Sequence, residues 1–375
     1  MPTPRPTPGL ASTGSARRKA AERERVRRSR TLLRQRLLVS GLLALVLGAI
    51  ALSLALATGG QAPRRRGGTG AAAGQRASVT PSPGAKPTKD SFAVGLRVLR
   101  LVDTSRSIKL PSGRTEPRTL LTYVRYPALG EPGRTDLLDA PPVRSDGPFP
   151  LVIFGHGFAV TPALYARMLQ SWAQAGYVVA APVFPLENAD APGGPDESDL
   201  TNQPADMSFV ISRMLALSSE GSGPFAGLVD PTRIAVSGQS DGGDTALALA
   251  YDSSFRDPRV SAAMILSGAE IPGTGEFTFP ASGPPLLATQ GTADTVNPPS
   301  ATSAFFDAAP KPKYLLRLLG AEHLPPYSHQ QPQLGIIERV TIAFLDAYLK
   351  HQPGALQQLL SLGNIPRTAS LLAEP

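Results

Sequence analysis

The feature that most constrains the fold is a series of short, largely apolar runs that alternate with helical segments. The clearest runs are FPLVIFG (149–155), YVVAAPV (177–183), RIAVSG (233–238), VSAAMIL (260–266), PPLLATQG (284–291) and KYLLRLL (313–319). Strands that are apolar on both faces are typical of a parallel sheet, which helices cover on both sides. The sequence therefore predicts an α/β fold with a mostly parallel central sheet and helices on both faces.

Two runs of a different kind precede this series. FAVGLRVLRLVDTSR (92–106) and RTLLTYVRYPA (118–128) alternate in polarity, and LPSGRTEP (110–117) separates them. Alternating runs joined by a short Gly- and Pro-containing segment indicate antiparallel strands. At the other end of the chain, GIIERVTIAFLDAYLKHQ (335–352) predicts an amphipathic helix.

The positive charge is concentrated near the amino terminus. The net charge is +8, yet residues 1–36 alone hold 11 basic and 2 acidic side chains, and residues 58–91 hold 6 and 1. Residues 92–375 hold 20 basic and 26 acidic side chains, so the body is mildly acidic. We therefore expect no nucleic-acid partner. Because the chain has no cysteine, disulfides, thiolate metal sites and a cysteine nucleophile are excluded.

The amino-terminal part divides into three segments before the body. Residues 1–36 predict a basic cytoplasmic arm, because positive charge is retained on that side of a membrane. Residues 37–57 are uncharged and long enough to cross a bilayer, which favours a transmembrane signal-anchor helix and places the body outside the cytoplasm. The alternative is a signal peptide cleaved near Ala57. Residues 58–91 predict a flexible linker, and residues 92–375 the functional domain.

The segment GQSDG lies between an apolar run and a helical stretch, and it contains a candidate nucleophile. Gly238 and Gly242 flank Ser240 at the spacing of a sharp strand-to-helix turn, where a side chain in place of either glycine would clash. Such a turn exposes the serine hydroxyl above the carboxyl end of a sheet, where open parallel sheets carry their chemistry. We predict that Ser240 is a nucleophile.

A serine hydroxyl needs a base, and the base needs a carboxylate to orient it. The four histidines are His156, His323, His329 and His351. His323 follows a predicted strand and is the favoured base, with His329 as the alternative. Asp294 follows the preceding strand and is the favoured acid, with Glu270 as the alternative. His156 is expected to support its loop by hydrogen bonding.

The backbone N–H groups of Phe158 and Asp241 are candidates for an oxyanion hole. Phe158 lies in FGHGF, directly after an apolar strand, and Asp241 follows the proposed nucleophile. Preorganised donors at such positions contribute on the order of 3 kcal/mol each to transition-state stabilisation.

Taken together, several segments resemble a known family: VDTSR and RTLLTYVRYPA, GHGF, GYVVAAPVFPL, GQSDGG, GTAD and GAEH. They are similar to secreted or membrane-anchored bacterial α/β-hydrolases of the platelet-activating factor acetylhydrolase, chlorophyllase and cutinase-like lipase branch, which is dienelactone hydrolase-like. The resemblance covers about residues 92–350. It implies the α/β-hydrolase fold and hydrolysis of carboxylic esters through an acyl-serine intermediate, without a cofactor or a metal. The chain departs from true dienelactone hydrolases in lacking the nucleophilic cysteine.

The substrate is expected to be a small-molecule ester with a short or medium acyl group. Tyr165 and Phe184 are candidate walls of the acyl pocket, and the acid-rich loop 186–204 is interpreted as a solvated, mobile lid, with calcium binding as the alternative. Two other functions remain open at this point: acyl transfer to a cell-envelope acceptor, and a membrane-tethered binding protein whose hydrolase fold is catalytically silent.

Overall fold

One mixed β-sheet organises the computed structural model, which describes residues 91–272 and 274–375. Its strands are β1 (Ala93–Lys109), β2 (Thr115–Ala128), β3 (Leu137–Leu138), β4 (Phe149–Gly155), β5 (Val178–Val183), β6 (Val229–Gln239), β7 (Val260–Leu266), β8 (Leu286–Gly291), β9 (Lys313–Leu318) and β10 (Ala369–Glu374). Their spatial order is β10-β9-β8-β7-β6-β4-β5-β2-β1-β3. Strands β5, β4, β6, β7, β8 and β9 are neighbours in this order and are mutually parallel. β2 pairs antiparallel with β5 on one side of them, and β10 pairs antiparallel with β9 on the other.

Seven α-helices accompany the sheet in the described part of the chain. They are α1 (Ala166–Gln174), α2 (Gln203–Ser219), α3 (Asp241–Tyr251), α4 (Pro299–Ala308), α5 (Pro325–Ser328), α6 (Gln333–Tyr348) and α7 (Ala355–Leu362). Short 3-10 helices span Pro162–Tyr165 and Glu197–Asn202.

The helices cover both faces of the sheet because the strands are apolar on both faces. On one face, α2, α3 and α4 pack against the sheet through a buried cluster that includes Met207, Leu247 and Phe305. On the other, α1 and α6 contribute Trp172 and Phe344 to a second cluster. The mostly parallel sheet, the antiparallel amino-terminal strands and the helices on both faces confirm the predicted α/β-hydrolase fold class.

The predicted antiparallel strands are confirmed, and a further edge strand was not foreseen. β1 and β2 pair from Ala93 with Ala128 to Lys109 with Thr115, with a register shift between Asp103 and Ser107. β10 adds to the far edge of the sheet by pairing antiparallel with β9. The amphipathic helix predicted near the carboxyl terminus is α6.

The loop 186–204 is not solvated throughout, so that expectation is wrong. The Arg118 guanidinium on β2 donates to the carboxylates of Asp199 and Asp206, and all three side chains are buried. The N–H of Asp196 donates to the carbonyl of Leu186 across the loop at 2.7 Å. Buried ion pairs of this kind anchor the loop to the sheet and to α2.

Neither the calcium alternative nor the membrane anchor finds a counterpart in the residues that the structure describes. Across residues 91–272 and 274–375, no three His, Asp or Glu side chains are grouped so that they could hold a metal ion. Within the same ranges, the helices are too short or too polar to cross a bilayer. The predicted signal-anchor at residues 37–57, like the arm and linker around it, lies outside the described residues.

Candidate active site

A strained turn between β6 and α3 holds Ser240. The residue has φ of 56° and ψ of −126°, a backbone conformation that side chains other than glycine rarely adopt. A Cβ on Gly238 would lie 2.0 Å from the carbonyl oxygen of Gly242, and a Cβ on Gly242 would lie 2.1 Å from that of Gly155. Because each contact is with backbone, only glycine allows the strand, the turn and β4 to approach this closely.

We expect Gly242→Ala to lower the free energy of unfolding by more than about 3 kcal/mol, since the new methyl group cannot avoid the backbone of Gly155. The matched control is Gly221→Ala, where a Cβ meets nothing within 4 Å. Urea unfolding of both variants measures the difference. Equal stabilities would contradict the close approach at the turn.

The three side chains proposed from sequence lie in one hydrogen-bonded chain. The Ser240 Oγ is 2.8 Å from His323 Nε2, and His323 Nδ1 is 2.8 Å from Asp294 Oδ2. Because a carboxylate only accepts, Nδ1 carries the proton of the neutral ring and Nε2 is free to accept the Ser240 proton. All three side chains are at least nine-tenths buried, so little water competes for these bonds.

Asp294 is held in place by donors that sequence reasoning missed. Its Oδ1 accepts from the N–H groups of Val296 and Asn297 at 2.9 and 3.0 Å, and its Oδ2 accepts from Gln290 Nε2 at 3.1 Å. The Asn297 side chain in turn donates to the carbonyl of Ser267, just after β7. Three donors therefore orient the carboxylate of Asp294 toward His323. The sequence alone does not show that these loop residues have this supporting role.

Gln239, directly before Ser240, is a second residue that the motif left unassigned. Its Nε2 donates to the carbonyl of His323 at 3.1 Å, and its Oε1 accepts from the Tyr165 hydroxyl at 2.7 Å. The only sequence feature that could have indicated this role for Gln239 is its position inside GQSDG. Gln239 thus ties the histidine loop to the turn that carries Ser240.

The other histidines and the alternative acid lie elsewhere. His329 is exposed and contacts the hydroxyl of Ser328, and His351 is also exposed. Glu270 follows β7 and is half-buried, whereas Asp294 is the carboxylate bound to His323. The base that contacts the Ser240 hydroxyl is therefore His323 and not His329, and the acid that contacts His323 is Asp294.

His156 is fully buried beneath the turn that follows β4. Its Nε2 accepts the N–H of Phe184 at 3.0 Å, so Nδ1 carries the proton and donates to the carbonyl of Gly157 at 2.8 Å. Burial lowers the pKa of His156 to about 4. A neutral imidazole therefore joins the loops after β4 and β5, as expected from sequence.

This lowered pKa predicts a stability that falls with acid. Between about pH 6.5 and pH 4 the unfolded chain binds a proton at His156 that the folded protein does not, so the unfolded state is stabilised relative to the folded state as pH falls. We expect a loss of about 3 kcal/mol over this window. Urea unfolding at pH 7 and pH 4.5 should show a smaller loss in His156→Phe than in wild type. The exposed-site control His329→Asn should behave as wild type, and equal losses in all three proteins would contradict the assignment.

The backbone donors proposed for an oxyanion hole belong to two segments close to Ser240, since a Cβ on Gly157, directly before Phe158, would lie 3.2 Å from the Ser240 Cβ. Asp241 is the first residue of α3, and Phe158 lies in the loop after β4. Within the described ranges, neither N–H donates to an acceptor of the protein. A helix N-terminus has unpaired N–H groups of this kind, which can accept negative charge.

Tyr165 and Phe184, which the sequence suggested as walls of the acyl pocket, do not line a cavity. Tyr165 is 1% exposed and binds Gln239 through its hydroxyl, and Phe184 is fully buried with its ring centroid 4.8 Å from that of His156. Both rings are part of the packed interior. Both residues lie close to a motif in sequence, but such proximity does not show whether a side chain faces a cavity.

A cavity of about 1060 Å³ opens beside Phe158 instead. Its other lining residues come from the β1–β2 turn, from the loop 186–204 and from the segment after β7: Lys109, Leu110, Pro111, Gly113, Leu186, residues 192–198, Leu200, Thr201, Ile271 and Pro272. The lining combines apolar side chains with the charged side chains of Lys109, Asp196 and Glu197.

Comparison with known proteins supports the assignment of the fold. The family model described as Chlorophyllase matches residues 126–267, a range that contains Phe158 and Ser240 and ends before Asp294. The solved structure of a ferulic acid esterase from Streptomyces cinnamoneus is similar with a TM-score of 0.54 and 22% identity, over 73% of this chain and 94% of the esterase. No curated protein matches. The chain is thus an α/β hydrolase by fold.

Proposed function

We propose that this protein is a serine hydrolase that cleaves carboxylic esters through an acyl-serine intermediate. The observation that carries the proposal is the continuous chain from Ser240 through His323 to Asp294, with both hydrogen bonds at 2.8 Å. A catalytically silent fold has no need for such an arrangement. The description of the matched family model, Chlorophyllase, and the name of the similar solved structure, a ferulic acid esterase, are consistent with an ester substrate.

In the first half of the reaction, His323 Nε2 takes the proton of Ser240 as Oγ attacks the ester carbonyl. The Asp294 carboxylate stabilises the imidazolium that forms. Negative charge develops on the carbonyl oxygen, and in this proposal the N–H groups of Phe158 and Asp241 donate to it. His323 then returns the proton to the departing alcohol, and the acyl group remains on Ser240.

In the second half, a water molecule replaces the alcohol. His323 removes a proton from that water as its oxygen attacks the acyl-serine carbonyl, and the same backbone donors stabilise the second oxyanion. Collapse of the intermediate returns the proton to Ser240 and releases the carboxylic acid. The cavity that Phe158 helps to line offers apolar walls to one part of the ester.

The proposed location is outside the cytoplasm, with the protein attached through residues 37–57. The basis is the uncharged run and the basic segment before it. Mass spectrometry of the amino terminus of the mature protein, with fractionation of membranes, tests this proposal. A mature protein that begins after Ala57 and is absent from the membrane fraction would show that residues 37–57 are a cleaved signal peptide and not an anchor.

Hydrolysis of a series of p-nitrophenyl esters by the full-length protein in detergent tests the proposed function. Since the described residues include no long apolar insertion over the site, we expect the butyrate and octanoate esters to react with a higher kcat/KM than the palmitate ester. Absence of hydrolysis with every ester, including methyl ferulate, would refute the proposed function.

A further inference from the structure

Two acidic side chains lie against each other below the proposed oxyanion hole. Glu187 follows β5 and is fully buried, and Asp241 begins α3 and is 5% exposed. The carboxyl group of Asp241 lies within interaction distance of that of Glu187. In the described part of the chain, no N–H or hydroxyl group donates to Glu187 Oε1 or to Asp241 Oδ2, and both atoms are buried. Two ionised carboxylates cannot donate to one another, and their proximity away from water is unfavourable. A single proton held between the two oxygens removes both difficulties.

The surroundings indicate which oxygen carries that proton. Glu187 Oε2 accepts from the Nε2 of Gln203, so this oxygen serves as the carbonyl of a protonated carboxyl group. The remaining oxygen, Oε1, then carries the hydrogen and donates it to Asp241. Burial raises the pKa of Glu187 well above its usual range, and the negative charge of Asp241 raises it further.

The charged groups around the pair do not reverse this preference. Asp199 and Glu197, in the 3-10 helix Glu197–Asn202, also raise the pKa of Glu187. Arg118 is bound to Asp199 and Asp206, Arg106 is also bound to Asp206, and neither arginine donates to Glu187. The groups that face the pair from α2 and α3 are the neutral side chains of Gln203 and Thr245, which are hydrogen bonded to each other.

Glu187 also touches the other side of the proposed oxyanion hole. Its backbone carbonyl accepts the N–H of Ala159 at 2.9 Å. Ala159 directly follows Phe158 and has a φ of 55°, so this bond fixes an unusual backbone conformation next to the Phe158 N–H. One residue therefore holds the loop that carries Phe158 through its main chain and holds Asp241 through its side chain.

We propose that Glu187 is a positioning residue of the esterase: it shares a proton with Asp241 and thereby fixes the two backbone donors of the oxyanion hole. The inference rests on the proposed function for its catalytic consequence, but the shared proton exists whether or not the protein is an esterase. Because the Glu187–Asp241 pair holds one negative charge rather than two, its electrostatic repulsion of the developing oxyanion is smaller.

Two substitutions of similar size separate this role from packing. Glu187→Gln keeps an N–H toward Asp241 and a carbonyl toward Gln203, whereas Glu187→Leu removes both. We expect kcat for p-nitrophenyl butyrate to fall about 100-fold in Glu187→Leu with little change in KM, because the donors act only on the transition state. Glu187→Gln should restore most of this loss.

The control is Asp257→Asn, which alters a buried carboxylate at the opposite end of the parallel strands, just before β7. Its kcat should match wild type. Equal kcat values for Glu187→Gln and Glu187→Leu, in proteins with matching thermal unfolding, would overturn the positioning role.

Infrared spectroscopy tests the shared proton without relying on a folded variant. Wild-type protein at pH 7 should show the carbonyl band of a protonated carboxyl group, and unfolding at the same pH should remove it. Folded wild type without this band overturns the shared proton. Labelling of wild type by a fluorophosphonate separates the two proposals: an unlabelled protein that shows the band refutes the esterase alone, and a labelled protein without the band refutes the carboxyl pair alone.

Discussion

Ser240→Ala is expected to lower kcat for p-nitrophenyl butyrate by about 10⁵-fold, to the level that binding and backbone donors alone can provide. The alanine methyl group cannot form an acyl intermediate, and the fold should tolerate it because the strained backbone at φ 56° depends on Gly238 and Gly242. Steady-state kinetics in detergent measures the loss. KM should change little, since the hydroxyl contributes more to the transition state than to binding.

The matched control is Ser219→Ala, at the exposed end of α2, which should retain wild-type kcat. Thermal unfolding of both variants separates a chemical loss from a folding loss. If folded Ser240→Ala kept more than about a tenth of the wild-type kcat, another group would have to be the nucleophile.

His323→Ala should approach the same loss, because the hydroxyl of Ser240 then has no base. The residual rate should be about 10⁴- to 10⁶-fold below wild type. Residues that act as a unit are not additive, so the double variant Ser240→Ala, His323→Ala should be no slower than the more impaired single variant. The measurement is kcat for each of the three proteins.

His329→Ala is the control for this substitution, because His329 lies six residues further along the chain, directly after α5, and is exposed. It should keep most of the wild-type kcat. A large loss in His329→Ala together with a small loss in His323→Ala would mean that the loop rearranges when substrate binds, and the assignment of the base would be wrong.

The parallel part of the fold could be predicted from sequence because both faces of these strands are buried. β4 is apolar throughout and ends at Gly155, and β6 has a buried second half that begins at Ile234, so pattern alone locates them. β10 could not be found this way. It has six residues, and its place in the sheet depends on pairing with β9 some fifty residues earlier in the chain. Such a contact is set by the tertiary fold, not by the local pattern.

The positions of Ser240, Asp294 and His323 could be proposed because parallel strands end at the same edge of the sheet. The residues around them could not. Glu187 and Asp199 were interpreted as solvated charges of a lid, yet both are buried, one against Asp241 and one against Arg118. Sequence shows that a residue is acidic, but a buried carboxyl group is stable only with partners from distant segments.

The error over Tyr165 and Phe184 has a related cause. Both lie next to segments that reach the site, yet Tyr165 points toward Gln239 and Phe184 packs on His156. The side chains that line the cavity come largely from the β1–β2 turn and from residues 192–201, which are far from GQSDG in sequence. Proximity to a motif is therefore a poor guide to the walls of a substrate cavity.

The central claim, that Ser240 is an activated nucleophile, is tested most directly by mass spectrometry after reaction with a fluorophosphonate. We predict one phosphonyl adduct per chain, on the peptide that contains Ser240, at a rate that falls sharply in His323→Ala. A folded wild-type protein that acquires no adduct, or acquires it on a different serine, would contradict the account.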